Sequence, residues 1–388
     1  MAKIKSFMEN AVHNKNVLAA KYEKLDPPSH VTKATSIDIT TEQTNDKLTG
    51  FREIKFISNL VLFFLKKCWM MCSAAVFVIF VIYWYYGSIT AFILFVFALT
   101  GFLFQVGDYF LYHPNQPPQA RLYIPQPSLF QLPFESVFIT TADGVKIHGF
   151  LIKQAPSIVS NVPTVLYLHG NAGNIGHRLP NAQGLHKFCG YNVLLLEYRG
   201  YGHSNGSPSE EGLYLDAQAG LKYLLQQPFI DKSKIIVFGR SLGGAVAIDL
   251  VSHPEYAKHV LVLIVENTFT SIPDIAREMF NLRILRWLPT CAFKNQFLSI
   301  KKIRRIKRPS LFISGQADVI IPPSMMRALL LESGSPIKRL YPFEYGTHNE
   351  TWQCKGYYKM VSMFIDDVML AQEMNICPSN YDGRGEIY

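Results

Sequence analysis

Ser241 lies in Gly239-Arg240-Ser241-Leu242-Gly243, between an apolar β-branched run, Lys234-Ile235-Ile236-Val237-Phe238, and a small-residue helical pattern, Gly244-Ala245-Val246-Ala247-Ile248-Asp249-Leu250. A serine on a sharp strand-to-helix turn projects its hydroxyl, and glycines two residues to either side relieve the crowding of that turn. The helix that follows turns its free N–H groups and positive dipole end toward a reacting carbonyl. The chemistry predicted is acyl transfer through an activated hydroxyl, which needs a base and a group to orient that base. One chain order for such a triad is Ser, then Asp or Glu, then His. Ser310-Leu311-Phe312-Ile313-Ser314 reads as a buried strand followed by Gly315-Gln316-Ala317-Asp318, with Ile320-Ile321-Pro322-Pro323 opening a helix behind it. Lys338-Arg339-Leu340-Tyr341-Pro342 reads as the last strand and leads into Gly346-Thr347-His348-Asn349. His348 is therefore the candidate base and Asp318 the candidate acid. A lone loop aspartate is more often a turn residue, and a lone loop histidine more often a surface group; order and placement after strands set this pair apart. Asp366 and Asp367 are weaker rivals, since they follow His348 inside an amphipathic helical pattern.

An acyl-transfer site also needs two backbone donors for the oxyanion. One is expected at Leu242, the residue after the nucleophile. The other is expected in His169-Gly170-Asn171-Ala172-Gly173-Asn174, after the strand Thr164-Val165-Leu166-Tyr167-Leu168; Asn171 is the first choice and Ala172 the second. His169 is read as a brace for that loop. The six cysteines, Cys68, Cys72, Cys189, Cys291, Cys354 and Cys377, form no CxxC pair and no metal spacing, so neither a zinc site nor a disulfide framework is indicated. No HExxH, P-loop or dinucleotide glycine pattern occurs, and the sequence implies no cofactor.

The stretches Leu166–Arg178, Glu197-Tyr198-Arg199-Gly200-Tyr201-Gly202, Phe238–Ile248, Val265-Glu266-Asn267-Thr268-Phe269, Ser314–Pro323 and Gly346-Thr347-His348-Asn349 resemble those of α/β-hydrolase domain-containing proteins. The resemblance covers about residues 110 to 370. It implies an α/β-hydrolase fold and a membrane-associated serine hydrolase, whose relatives include protein depalmitoylases and lysophospholipid or monoacylglycerol lipases. Ser241, Asp318 and His348 match the family's triad positions one by one. Glu197 stands where many relatives carry Asp, and is read as a structural brace for the loop Tyr198–Ser204.

The 388 residues have room for one α/β domain of roughly 250 residues plus further segments. No charge occurs between Lys67 and Asp108. One membrane crossing takes roughly 20 apolar residues, so this run supplies one long helix or two crossings. Arg52, Lys55, Lys66 and Lys67 just before it keep the N-terminus cytoplasmic under the positive-inside rule. One crossing would place the hydrolase domain in the lumen or outside the cell; a hairpin turning at Gly87-Ser88 would return it to the cytoplasm. Sequons at Asn205-Gly206-Ser207 and Asn349-Glu350-Thr351 are usable only in the first case. Cys68 and Cys72 read either as palmitoylation sites or as buried membrane cysteines.

The expected organisation is a polar, disordered tail over 1–50, a membrane-associated segment and anchor over 51–107, and a Pro-rich connector over 108–134. The α/β-hydrolase domain follows over 135–372, with a mostly parallel sheet covered by helices on both faces, and then a tail over 373–388. Glu135 to Ile152 reads as a hairpin around Asp143-Gly144. The stretch 271–308 reads as a cap that mixes arginines and lysines with Phe, Trp, Leu and Ile, either a solvated basic face or a contact for anionic headgroups. The net charge of +9 would also suit nucleic acid, but the anchor argues against that. Expected partners are membrane lipids and an acylated protein or lipid substrate. The leading expectation is hydrolysis of long-chain acyl thioesters of S-acylated proteins. The alternatives are a lysophospholipase or monoacylglycerol lipase and, of a different class, a non-enzymatic scaffold on a hydrolase fold.

Overall fold

The computed structural model describes residues 73–280 and 289–373. Cys68, Cys72, the N-terminal tail, residues 281–288 of the expected cap and the tail beyond Glu373 lie outside the described residues.

The apolar runs form the sheet. β3 (Thr164–Leu168), β4 (Asn192–Leu196), β5 (Ile235–Arg240), β6 (Val260–Glu266) and β7 (Ser310–Gly315) are buried at every position. Continuous burial is what a parallel strand covered on both faces requires. β1 (Phe134–Thr140) and β2 (Lys146–Ile152) form the expected hairpin, and β8 (Lys338–Phe343) is the far edge. The eight strands run in the order β1-β2-β4-β3-β5-β6-β7-β8. β1–β2 and β2–β4 pair antiparallel, and every other neighbour is parallel.

Two apolar layers flank this sheet. One face packs Leu213, Leu221, Val246, Leu250 and Leu329, from helices Glu210–Gln226, Leu242–Ser252 and Pro323–Glu332. The other packs Leu179, Leu185, Val361, Phe364 and Val368, from helices Leu179–Phe188 and Tyr357–Glu373. The mostly parallel α/β-hydrolase sheet with helices on both faces is thereby present. Because β3, β5, β6, β7 and β8 are parallel, the loops after them gather at one end of the sheet, where open α/β sheets place their chemistry.

The described residues separate into two compact units that divide between 105 and 106. Residues 73–86 are helical, and Gly87, at φ +85°, separates them from helix Ser88–Leu111, whose residues from 106 on belong to the larger unit. Phe77, Trp84, Tyr85, Ile89, Phe92 and Phe97 are exposed there. Among the described residues no helix is long and apolar enough to cross a membrane; the side chains at 99, 100, 102, 103, 105 and 106 are not among them.

The basic run ahead of β7 is partly paired. Lys302 pairs with Asp249 at 2.7 Å, two turns along the helix from Ser241, and Arg304 pairs with Glu332 at 2.6 Å. The run enters β7 at Ser310, the end of that strand opposite the one that leads to Asp318.

The turn from β5 into its helix depends on two absent side chains. A Cβ on Gly243 would lie 2.1 Å from the Leu168 carbonyl oxygen, and one on Gly239 would lie 2.2 Å from that of Gly243. Both obstacles are backbone. Gly243→Ala is expected to cost about 2–3 kcal/mol and to lower the melting temperature by roughly 4–12 °C. An unchanged melting curve would contradict this packing.

Candidate active site

Ser241 occupies the turn between β5 and helix Leu242–Ser252 at φ 56°, ψ −122°, a backbone conformation that a side-chain-bearing residue adopts only under constraint. The constraint is visible. The Ser241 N–H donates to the Glu266 carbonyl at 2.9 Å, and Thr268 Oγ1 donates to the Ser241 carbonyl at 2.7 Å. Ser241 Oγ lies 3.0 Å from His348 Nε2, and His348 Nδ1 lies 2.7 Å from Asp318 Oδ2. With Nδ1–H donating to the carboxylate, Nε2 is left to accept from the serine hydroxyl. Asp318 Oδ1 accepts the N–H groups of Ile320 (2.8 Å) and Ile321 (2.9 Å), which fixes the carboxylate plane. Ser241, Asp318 and His348 are 8%, 6% and 9% exposed. That leaves them nearly dry but reachable. Asp367 instead pairs with Arg339, and Asp366 accepts from Ser362. Neither rival meets the histidine.

The loop after β3 lies against the nucleophile: a Cβ on Gly170 would stand 3.4 Å from Ser241 Cβ. His169 Nδ1 donates to the Gly170 carbonyl at 2.7 Å. Because the peptide is planar, pinning that carbonyl directs the Asn171 N–H the opposite way. His169 Nε2 touches Glu197 Oε1 at 3.0 Å, with both side chains fully buried. Glu197 Oε2 accepts the Ile175 N–H at 3.1 Å, while its carbonyl accepts from Ser204 Oγ. Glu197 thus braces the loop Tyr198–Ser204 and, in addition, the loop that carries Asn171. Ala172 pairs with His113 in an isolated bridge and its carbonyl accepts from Arg178. Among the described residues, neither Asn171 N–H nor Leu242 N–H, the first of its helix, donates to a protein acceptor.

Comparison with known proteins gives the family. The family model described as serine aminopeptidase, S33, matches residues 160–302. Protein bem46 of Schizosaccharomyces pombe is 40% identical over 268 residues, 68% of this chain and 87% of that protein. The α/β hydrolase domain-containing protein WAV2 of Arabidopsis thaliana is 37% identical over 272 residues, 66% of this chain and 86% of that one. The chain belongs to the α/β-hydrolase domain-containing family. A membrane protein of Saccharomyces cerevisiae, YNL320W, is 34% identical over 66% of this chain and 87% of its own. Among solved structures, the Pyrococcus furiosus esterase Pf2001 superposes with a TM-score of 0.53 at 23% identity, covering 66% of this chain and 97% of that one. That likeness speaks for the fold.

Two residues of this site escaped the sequence reading of roles. Asn267, at the end of β6 with φ 46°, is fully buried. Its Oδ1 accepts the Gly315 N–H at 2.7 Å; its Nδ2 lies 3.0 Å from the Thr347 carbonyl, 3.2 Å from that of His348 and 3.0 Å from Thr351 Oγ1. One amide therefore ties the acid loop to the base loop. Arg240, beside the nucleophile, donates from Nη1 to the Asn349 carbonyl at 3.0 Å, with Nη2 3.4 Å from Asn349 Oδ1. The sequon residue Asn349 is thus held inward, with the hydroxyl of its Thr351 buried and donating to the Thr347 carbonyl. The signal available beforehand was that Arg240 ends the nucleophile strand, Asn267 follows the next one, and both lie in stretches that carry the family resemblance.

Asn267→Ala should lower kcat on an acyl ester on the order of 10–100-fold with little change in KM, because it loosens the acid–base geometry rather than a binding surface. Asn267→Asp should be worse, since it turns an oxygen toward three acceptors. Steady-state kinetics decide this; unchanged kcat in a folded variant would rule the clamp out. A second expectation concerns pH. Burial, with Arg178 and His169 beside it, holds the His177 imidazole down at about 4, and burial does the same to His148. The unfolded chain takes up these protons first. The stability owed to the neutral rings is present above the ordinary histidine value and is lost as pH falls through it toward about 4. His177→Gln should flatten that part of a melting-temperature profile, and a profile of unaltered slope would contradict the assignment.

Proposed function

We propose that this chain is a membrane-anchored serine hydrolase that cleaves long-chain acyl thioesters or esters, with the palmitoyl thioester of S-acylated protein as its foremost substrate. The observation that carries the reading is the hydrogen-bonded line from Ser241 Oγ through His348 to Asp318. Ser241 Oγ attacks the acyl carbonyl carbon while His348 Nε2 takes its proton. Asp318 holds the imidazole in register, and the N–H groups of Leu242 and Asn171 receive the negative charge that builds on the carbonyl oxygen. The C–S or C–O bond then breaks, the leaving group takes the proton from His348, and the acyl group rests on Ser241. Water, deprotonated by the same imidazole, attacks the acyl-enzyme and releases the fatty acid and the free serine.

The membrane part of the reading rests on the uncharged run from Cys68 to Gly107 and on the exposed apolar side chains of residues 73–98. A yeast relative described as a membrane protein supports it. The preference for a thioester rests on the resemblance to depalmitoylases.

Fluorophosphonate labelling of the full chain should be lost in Ser241→Ala, whose turnover should fall by ~10⁶-fold. Purified protein should release palmitate from a palmitoylated peptide. Turnover of lysophospholipid or monoacylglycerol alone would move the assignment to a lipase, and absence of serine-dependent labelling would leave a scaffold.

A further inference from the structure

We infer that the last turn of helix Ser88–Leu111 and the two residues after it position the oxyanion donor: Asp108 to His113 hold Asn171 in place beside Ser241. The inference rests on the serine hydrolase reading and deepens it.

Asn171 spends its carbonyl and its side-chain N–H on this segment and its neighbours. Its side-chain Nδ2 donates to the Leu111 carbonyl at 3.0 Å. Its own carbonyl accepts the His113 N–H at 2.9 Å and the Tyr201 hydroxyl at 2.8 Å. His113 and Ala172 form the bridge that sets the two backbones side by side. The carbonyls in a helix's last turn lack intrahelical partners, so Leu111 has an acceptor to offer and Asn171 fills it. The Asn171 backbone N–H, the group assigned to the oxyanion, takes no protein acceptor among the described residues.

The helix end is itself fixed. Asp108 Oδ2 accepts from Lys294 Nζ at 2.7 Å, and Asp108 Oδ1 accepts from Asn295 Nδ2 at 2.7 Å. Tyr112 donates its hydroxyl to Asn295 Oδ1 at 2.9 Å, and both of these side chains are buried. The Glu210 N–H donates to the same oxygen at 3.3 Å. Asp108, Tyr112 and Asn295 therefore hold the helix end, and the helix end holds Asn171. These are positioning residues; none touches the reacting atoms. A loop anchored at one end by His169 and Glu197 and at the other by a helix has its donor aimed from both sides. Loss of either anchor lets the N–H swing by a fraction of an ångström, which is enough to cost rate without costing substrate affinity.

The test uses the full chain in phosphatidylcholine nanodiscs with p-nitrophenyl butyrate, a short ester that does not depend on the bilayer for access. Asn171→Ala keeps the backbone N–H and removes only the bond to Leu111. It should lower kcat about tenfold with KM within about twofold. Asp108→Ala and Tyr112→Phe should lower kcat in the same sense, Tyr112→Phe least. The Asn171→Ala/Asp108→Ala double variant should be no slower than Asn171→Ala alone, because both act through one peptide. Unchanged kcat in folded Asn171→Ala, or losses that multiply in the double variant, would overturn the coupling. Tyr112→Phe, which removes a single hydroxyl, decides the matter if Asp108→Ala does not fold. Wild-type protein that neither turns over the ester nor labels at Ser241 would instead sink the hydrolase reading itself.

Discussion

The left-handed backbone of Ser241 is the constraint on which the site is built. At φ 56° the serine side chain stands clear of the turn, and the chain can pass from β5 into a helix within one residue. That conformation is uphill for any residue with a Cβ, so neighbours must hold it. β6 lends the Glu266 carbonyl to its N–H, and Thr268 lends a hydroxyl to its carbonyl. Gly239 and Gly243 let the strand and helix close to distances that no Cβ would allow. Strain in one residue is thereby shared among three strand ends, and the nucleophile is pre-aimed before any substrate arrives.

Parallel strands bring the remaining parts to the same place, but each loop needs its own tie. Asn267 joins the acid and base loops. His169 with Glu197 fixes the loop opposite, and Arg240 holds Asn349 behind the histidine. Beneath them, Glu266 is pushed up by burial and drawn down by Arg240, and it accepts the Tyr357 hydroxyl. Each of these is a buried polar contact, costly if left unmade, so each favours one arrangement of the loops over near alternatives.

The triad could be read from the sequence because its residue types are distinctive and its chain order follows from strand order. The strands could be read because burial on both faces demands uninterrupted apolar runs, as in Ile235 to Phe238 or Val260 to Val265. Asn267 carries no such mark: its partners Gly315, Thr347 and His348 lie 48 to 81 positions away, and only the fold brings them near. Asp108 and Asn295, 187 positions apart, are the same case. Residues 301–308 are similar. Charge and apolar content alone do not show that Lys302 pairs with Asp249 and Arg304 with Glu332.

The most direct test of acyl transfer at Ser241 is to trap the intermediate. His348→Ala should still allow slow acylation by a palmitoyl thioester but fail to activate the water that removes the acyl group. After acid quench and digestion, mass spectrometry should find a single palmitoyl group on the peptide containing Ser241. A palmitoyl group on another side chain, or full turnover with Ser241 replaced by alanine, would contradict the account.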